Sequence, residues 1–120
     1  FVIVDAGMND LIRPTLYDAW HEIMPVAEAT PHTPWIKADL VGPVCESGDF
    51  IALDRKMPQM EAGDLYAIGT AGAYGAVQAG TYNTRPLVPE VLVRGGAFHV
   101  VRPRHGVEEL IGLDSLPPWL

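Results

Sequence analysis

Glycine and proline punctuation constrains this chain more than any other feature, with 12 Gly and 11 Pro spread along its 120 residues. Proline interrupts helices and interior strands, and glycine weakens both. Only short elements fit between such breaks. The apolar segments left over, such as Leu65 to Thr70 and Phe1-Val2-Ile3-Val4-Asp5, are brief, and the second is rich in β-branched residues. That combination describes strands rather than helices. Several short strands, Gly/Pro turns and few helices predict a mainly β domain, a small barrel or sandwich.

Taken in order, Phe1 to Asp5 is expected to be a buried strand. Gly7-Met8-Asn9-Asp10 ends it, and Asn9 or Asp10 can cap a helix over Leu11 to Asp18, provided Pro14 lies in the first turn. His21 to Ala29 reads as a strand, and Trp35 to Val41 as a half-buried one. Gly42-Pro43 stops it. Phe50 to Leu53 is a short apolar run, and Leu65 to Thr70 another strand. Ala71-Gly72-Ala73-Tyr74-Gly75-Ala76 lets backbone approach a neighbouring surface closely. Glu90 to Arg94 and Phe98 to Val101 flank Gly95-Gly96 as a hairpin would. Val107 to Leu113 reads as a short helix stopped by Pro117-Pro118. The opening on Phe1, in mid-strand, reads as a cut point rather than a native start.

Apolar residues make up 48% of the chain and charged residues 19%, a globular balance rather than a disordered one. The net charge of −7, with eight scattered basic residues, argues against a nucleic-acid partner. One cysteine, Cys45, excludes an internal disulfide and fits a reducing compartment. No membrane span or signal pattern is read. His21, His32, His99 and His105 show no metal-ligand spacing, so no metal is assigned.

Four patches place reactive groups beside Gly and Pro, where loops held by a scaffold bind and catalyse. In the first, Arg13 and Tyr17 share a helix face at i,i+4 and can hold a carboxylate; a solvated Arg with Tyr17 in the core is the plainer alternative. In the second, Gly42-Pro43-Val44-Cys45-Glu46-Ser47-Gly48-Asp49, a thiol can donate a proton while Glu46 binds an amine. Cys45 is alternatively a small buried hydrophobe. In the third, Tyr74 among small residues can lie on a flat ligand, or the segment can be a tight helix start. The fourth, Thr81-Tyr82-Asn83-Thr84-Arg85-Pro86, reads most simply as a surface loop.

Singly these patches are weak, but their order is specific. The strings Asp5-Ala6-Gly7-Met8-Asn9-Asp10, Arg13-Pro14-Thr15-Leu16-Tyr17, Cys45-Glu46-Ser47-Gly48-Asp49, Ala71-Gly72-Ala73-Tyr74-Gly75 and Tyr82-Asn83-Thr84-Arg85-Pro86 follow one another as in diaminopimelate decarboxylases, and the chain resembles that family's C-terminal β-domain over its whole length. The resemblance implies a small Greek-key-like β-barrel or sandwich with short helices, residues 1–120 forming the domain, beside a separate TIM-like barrel. That barrel would carry pyridoxal 5'-phosphate on a lysine; Lys37 and Lys56 do not match the cofactor lysine's motif.

By the same resemblance, the parent enzyme is a cytoplasmic homodimer that decarboxylates meso-diaminopimelate to lysine and CO2. Cys45 would donate the proton, Arg13, Tyr17 and Glu46 would bind the substrate's far end, and Tyr74 would contact both cofactor and substrate. The Cys45–Glu46 loop would enter the partner subunit's site. Ala76-Val77-Gln78-Ala79-Gly80 departs from the Phe- or Met- and Ser-rich stretch of many members. Two rivals stand beside this reading. A related decarboxylase of ornithine, arginine or a carboxylated polyamine would more often pair the Cys with Asp. A free-standing β-barrel binding module would catalyse nothing.

Overall fold

The computed structural model describes residues 1–120. Its elements run β1 (Val2–Ile3), α1 (Arg13–Tyr17), β2 (Ile23–Pro25), β3 (Trp35–Val41), β4 (Phe50–Pro58), β5 (Tyr66–Ile68), α2 (Gly72–Gln78), a 3-10 turn (Tyr82–Thr84), β6 (Glu90–Arg94), β7 (Ala97–Arg102) and α3 (Val107–Ile111). The chain is mainly β with short helices, as its punctuation predicts. The strands form three separate sheets, β1-β3-β4, β2-β5 and β6-β7, and no barrel closes within the chain. No helix is long and apolar enough to cross a membrane.

The longest pairing is antiparallel β3–β4, with Trp35 opposite Pro58 and Ile36 opposite Met57. Its register shifts between Ala38 and Leu40. There Asp54 turns into the left-handed region at φ 53°, and its N–H donates to Asp39 Oδ1 at 2.7 Å. The side chain thus serves the backbone group that a bulge takes out of the ladder. Continued pairing past this bulge carries β4 to Pro58, well beyond the expected Leu53.

β1 runs parallel to β3, Val2 opposite Leu40. The expected buried strand here is only two residues long and half exposed: Val2 and Val4 pack against the core, while Ile3 points outward and is 73% exposed. An edge strand with one neighbour buries one face only. β2 is shorter than the predicted His21 to Ala29 strand and pairs with β5, Ile23 opposite Ile68. Buried His21 fastens this corner: its Nδ1 lies 3.1 Å from the Gly69 carbonyl oxygen, and its own carbonyl accepts from Arg55 Nη1 at 2.7 Å.

Leu11, Leu40, Ile51, Ala52 and Met57 form the core, joined by Ile23, Ile36, Tyr66 and Ile68. Beyond Pro58 no residue is buried. The β6–β7 hairpin turns on Gly95, whose φ of 59° and place at the first of two loop positions suit a two-residue II′ turn. Hairpin and α3 extend from the core, giving overall dimensions of 65 × 38 × 27 Å.

Candidate functional site

Helix α1 carries Pro14 in its first turn, where the missing N–H has no partner to lose. It ends at Asp18, left-handed at φ 51°, so Arg13 and Tyr17 fall one turn apart on a single short helix. The guanidinium of Arg13 lies over the Tyr74 ring at 4.8 Å from its centroid, within cation–π range. Arg13 Nε is buried and has no hydrogen-bond partner. Tyr74 stands on α2, the plainer alternative for the Ala71–Ala76 segment, and its ring is half exposed. Tyr17 is exposed.

The Cys45–Glu46 loop is built around Asp49. That carboxylate is buried and accepts the Met8 N–H at 2.6 Å and the Val44 N–H at 2.5 Å. Gly42 is needed beside it, since any Cβ there would collide with the Asp49 carboxylate. Helix α1 closes on the same loop: the Thr15 hydroxyl donates to the Gly48 carbonyl, and a Cβ on Gly48 would stand 2.8 Å from Thr15 Cγ2. Folded this way, the loop turns Cys45 and Glu46 outward; both are exposed. Glu46 accepts only the adjacent Ser47 hydroxyl, at 3.3 Å, and so remains available to a cation. Cys45 Sγ receives the Asn83 side-chain amide at 3.9 Å.

Arg85 joins the fourth patch to the first. Its Nε donates to Asn9 Oδ1 at 2.9 Å, Nη2 donates to the Asp5 carbonyl at 2.5 Å, and Nη2 lies 3.6 Å from Asp10 Oδ2. Asn9 is itself buried and takes the Gly80 N–H on its carbonyl oxygen at 2.8 Å. The 81–86 stretch is therefore no free surface loop. Asp49, Asn83 and Arg85 were not singled out from the sequence, and Asn9 was read only as a helix cap, a place that Ile12 takes, because their roles rest on partners about 40 to 80 positions away. The one local sign was that all four fall inside the ordered strings.

The structure brings Arg13 to Tyr74, α1 to the Cys45 loop, and Cys45 to Asn83. No group of three or more His, Cys, Asp or Glu could hold a metal ion. Lys37 pairs with Asp54 at 3.1 Å and Lys56 lies over Trp35, so both lysines belong to the β3–β4 sheet. A cavity of about 550 Å³ is lined by Trp20, Met24, Trp35, Arg55 and Lys56 among others and includes none of the predicted site residues. Burial lowers Arg55 there, and burial followed by the Asp64 charge raises the Tyr66 phenol.

Against known proteins, the chain is 52% identical over 120 residues to the diaminopimelate decarboxylase of Zymomonas mobilis, covering all of this chain and 28% of that one. A solved structure from Aquifex aeolicus superposes with a TM-score of 0.89 at 46% identity, covering 94% of this chain and 28% of that one. Diaminopimelate decarboxylase from Helicobacter pylori, solved with L-lysine, gives 0.83 at 44% identity, covering 92% of this chain and 27% of that one. The chain thus spans little more than a quarter of these relatives. Residues 1–72 match the family described as pyridoxal-dependent decarboxylase, C-terminal sheet domain. A match over more than half of the chain, with the sheets and loops of its solved relatives, places this protein in the family of C-terminal sheet domains of pyridoxal-dependent decarboxylases.

Proposed function

We propose that the chain is the C-terminal domain of a cytoplasmic, homodimeric decarboxylase that converts meso-2,6-diaminopimelate to L-lysine and CO2. The observation that carries this reading is the fastening of α1, with Arg13, to the loop that holds Cys45 and Glu46, through Thr15 and Gly48. A short helix whose Arg13 stacks on Tyr74 and a loop bearing a thiol and a free carboxylate are held together in one block. Diaminopimelate keeps a carboxylate and an ammonium at its far end, and Arg13 together with Glu46 of the partner subunit is complementary to those two charges.

Pyridoxal 5'-phosphate, when bound, supplies the electron sink for loss of CO2. The residues here fit an edge of that group and not its covalent seat: Tyr74 offers a half-exposed ring and phenol, while Lys37 and Lys56 are engaged on the sheet. The chain's own residues then have three tasks. Arg13, with Tyr17 beside it, binds the distal carboxylate. Glu46 binds the distal ammonium, and its single weak contact to Ser47 leaves the charge exposed for that purpose. Cys45 returns a proton to the substrate carbon that loses CO2, from an exposed position on a loop reaching the partner subunit's site.

CO2 release by the full-length protein supplied with cofactor, compared on diaminopimelate, ornithine and arginine, tests the assignment. Release from diaminopimelate alone is expected. Turnover of ornithine or arginine instead would keep the fold and overturn the substrate, and no release from any of them would return the chain to a non-catalytic binding module.

A further inference from the structure

The turn that meets Cys45 is strained and held from outside. Asn83 and Thr84 both lie in the left-handed region, at φ 58° and 57°. One such residue is common when it is Asn; a β-branched Thr beside it is an outlier that persists only where neighbours over-determine the backbone. Arg85 provides that restraint through Asn9, Asp10 and the Asp5 carbonyl, and its own N–H bonds back to the Tyr82 carbonyl at 3.3 Å. The result of this geometry is that the Asn83 amide N–H points at Cys45 Sγ, 3.9 Å away.

We propose that Asn83 is a positioning residue for Cys45, orienting the thiol for proton delivery and stabilising the sulfur once the proton has left. This inference rests on the proton-donor reading of Cys45. In the step concerned the S–H bond breaks and a C–H bond forms on the substrate carbon, using the electron pair left by the departing CO2. The negative charge remains on Sγ. An amide N–H already aimed at that atom becomes a hydrogen bond to an ionised acceptor, stronger than the same bond to the thiol. Because Asn83 occupies one of the sulfur's acceptor directions, the thiol hydrogen is also turned away from Asn83.

The test is a double-mutant cycle in the full-length, cofactor-loaded enzyme. Asn83→Gly removes the amide while suiting a φ of 58° better than any other residue, so the turn is kept. It is expected to lower kcat about tenfold, to leave KM within about twofold, and to cause no further loss when Cys45 is already Ala. Asn83→Asp, which also tolerates the left-handed region, places a negative charge against the departing proton's sulfur and should lower kcat at least as far. Wild-type kcat in Asn83→Gly would overturn the inference while the role of Cys45 stood. An equal loss in the Cys45→Ala background would show that Asn83 acts by another route. Full turnover in Cys45→Ala alone would instead remove the proton-donor reading, and with it the reason for Asn83.

Discussion

Replacing Asp49 by Asn would set an amide, half donor, against two backbone N–H groups that now share a carboxylate at 2.6 and 2.5 Å. A buried N–H left without an acceptor costs about 1–3 kcal/mol, so Asp49→Asn should lower the melting temperature of the full-length protein measurably; an unchanged transition would mean the loop does not depend on this clasp. Cys45 and Glu46 are exposed and make few contacts, so their substitution should leave the melting temperature alone. Cys45→Ala is expected to cut turnover far more than substrate binding. Glu46→Asp should impair diaminopimelate most, and an equal loss across all amine substrates would remove its part in selectivity. Cys45, Glu46, Arg13 and Tyr74 drew notice in the sequence because their side-chain chemistry is unusual beside Gly and Pro. Asp49 and Arg85 were not, since an Asp or Arg in a polar loop looks the same in sequence whether it is solvated or buried against distant backbone.

Among the elements, β3 lies where its alternation placed it, and the β6–β7 hairpin forms around Gly95-Gly96 as expected. Gly95→Ala would force a Cβ into φ 59° and should destabilise the hairpin by about 1 kcal/mol, seen as faster amide exchange along Glu90–Arg94. Element lengths followed pairing rather than propensity: β4 gained residues where β3 offered a partner, and β2 lost them where none was available. Tyr66 on β5 ties this sheet to β4, its hydroxyl 3.5 Å from Met57 Sδ and 3.3 Å from the Pro58 carbonyl. Burial raises its phenol above the ordinary value of 10.0, so the folded state favours the protonated form. That contribution is present at neutral pH and is lost as pH rises from about 10 through the raised value. Denaturant titrations of wild type and Tyr66→Phe across this range should converge as pH rises, and parallel curves would exclude Tyr66 as the cause.

At the scale of the whole molecule, the radius of gyration is 16.9 Å, against about 14 Å for a compact chain of this length. The difference lies in the hairpin and the C-terminal segment, which present Leu92, Val93, Phe98, Leu116 and Trp119 to solvent. Apolar surface on this scale is what a covered face looks like when its cover is removed. The isolated chain should therefore bind an apolar-surface dye strongly and release no CO2, while the full-length protein should bind the dye weakly; equally weak binding by both would mean the exposed face is tolerated by itself. A small barrel or sandwich was expected from the count of short strands. Strand count sets how many edges exist, but only hydrogen bonding across those edges closes a barrel, and the three sheets here share none.

Sequence alone determined the mainly β character, the turn positions and the family strings, because backbone preferences of Gly and Pro and the order of residues along the chain are local properties. Tertiary structure decided which strands lengthen, which loop charges become buried anchors, and that Arg13 meets Tyr74 while Asn83 meets Cys45. Those outcomes depend on contacts between residues about 17 to 80 positions apart, and the spacing of residues along a chain holds no measure of that distance in space.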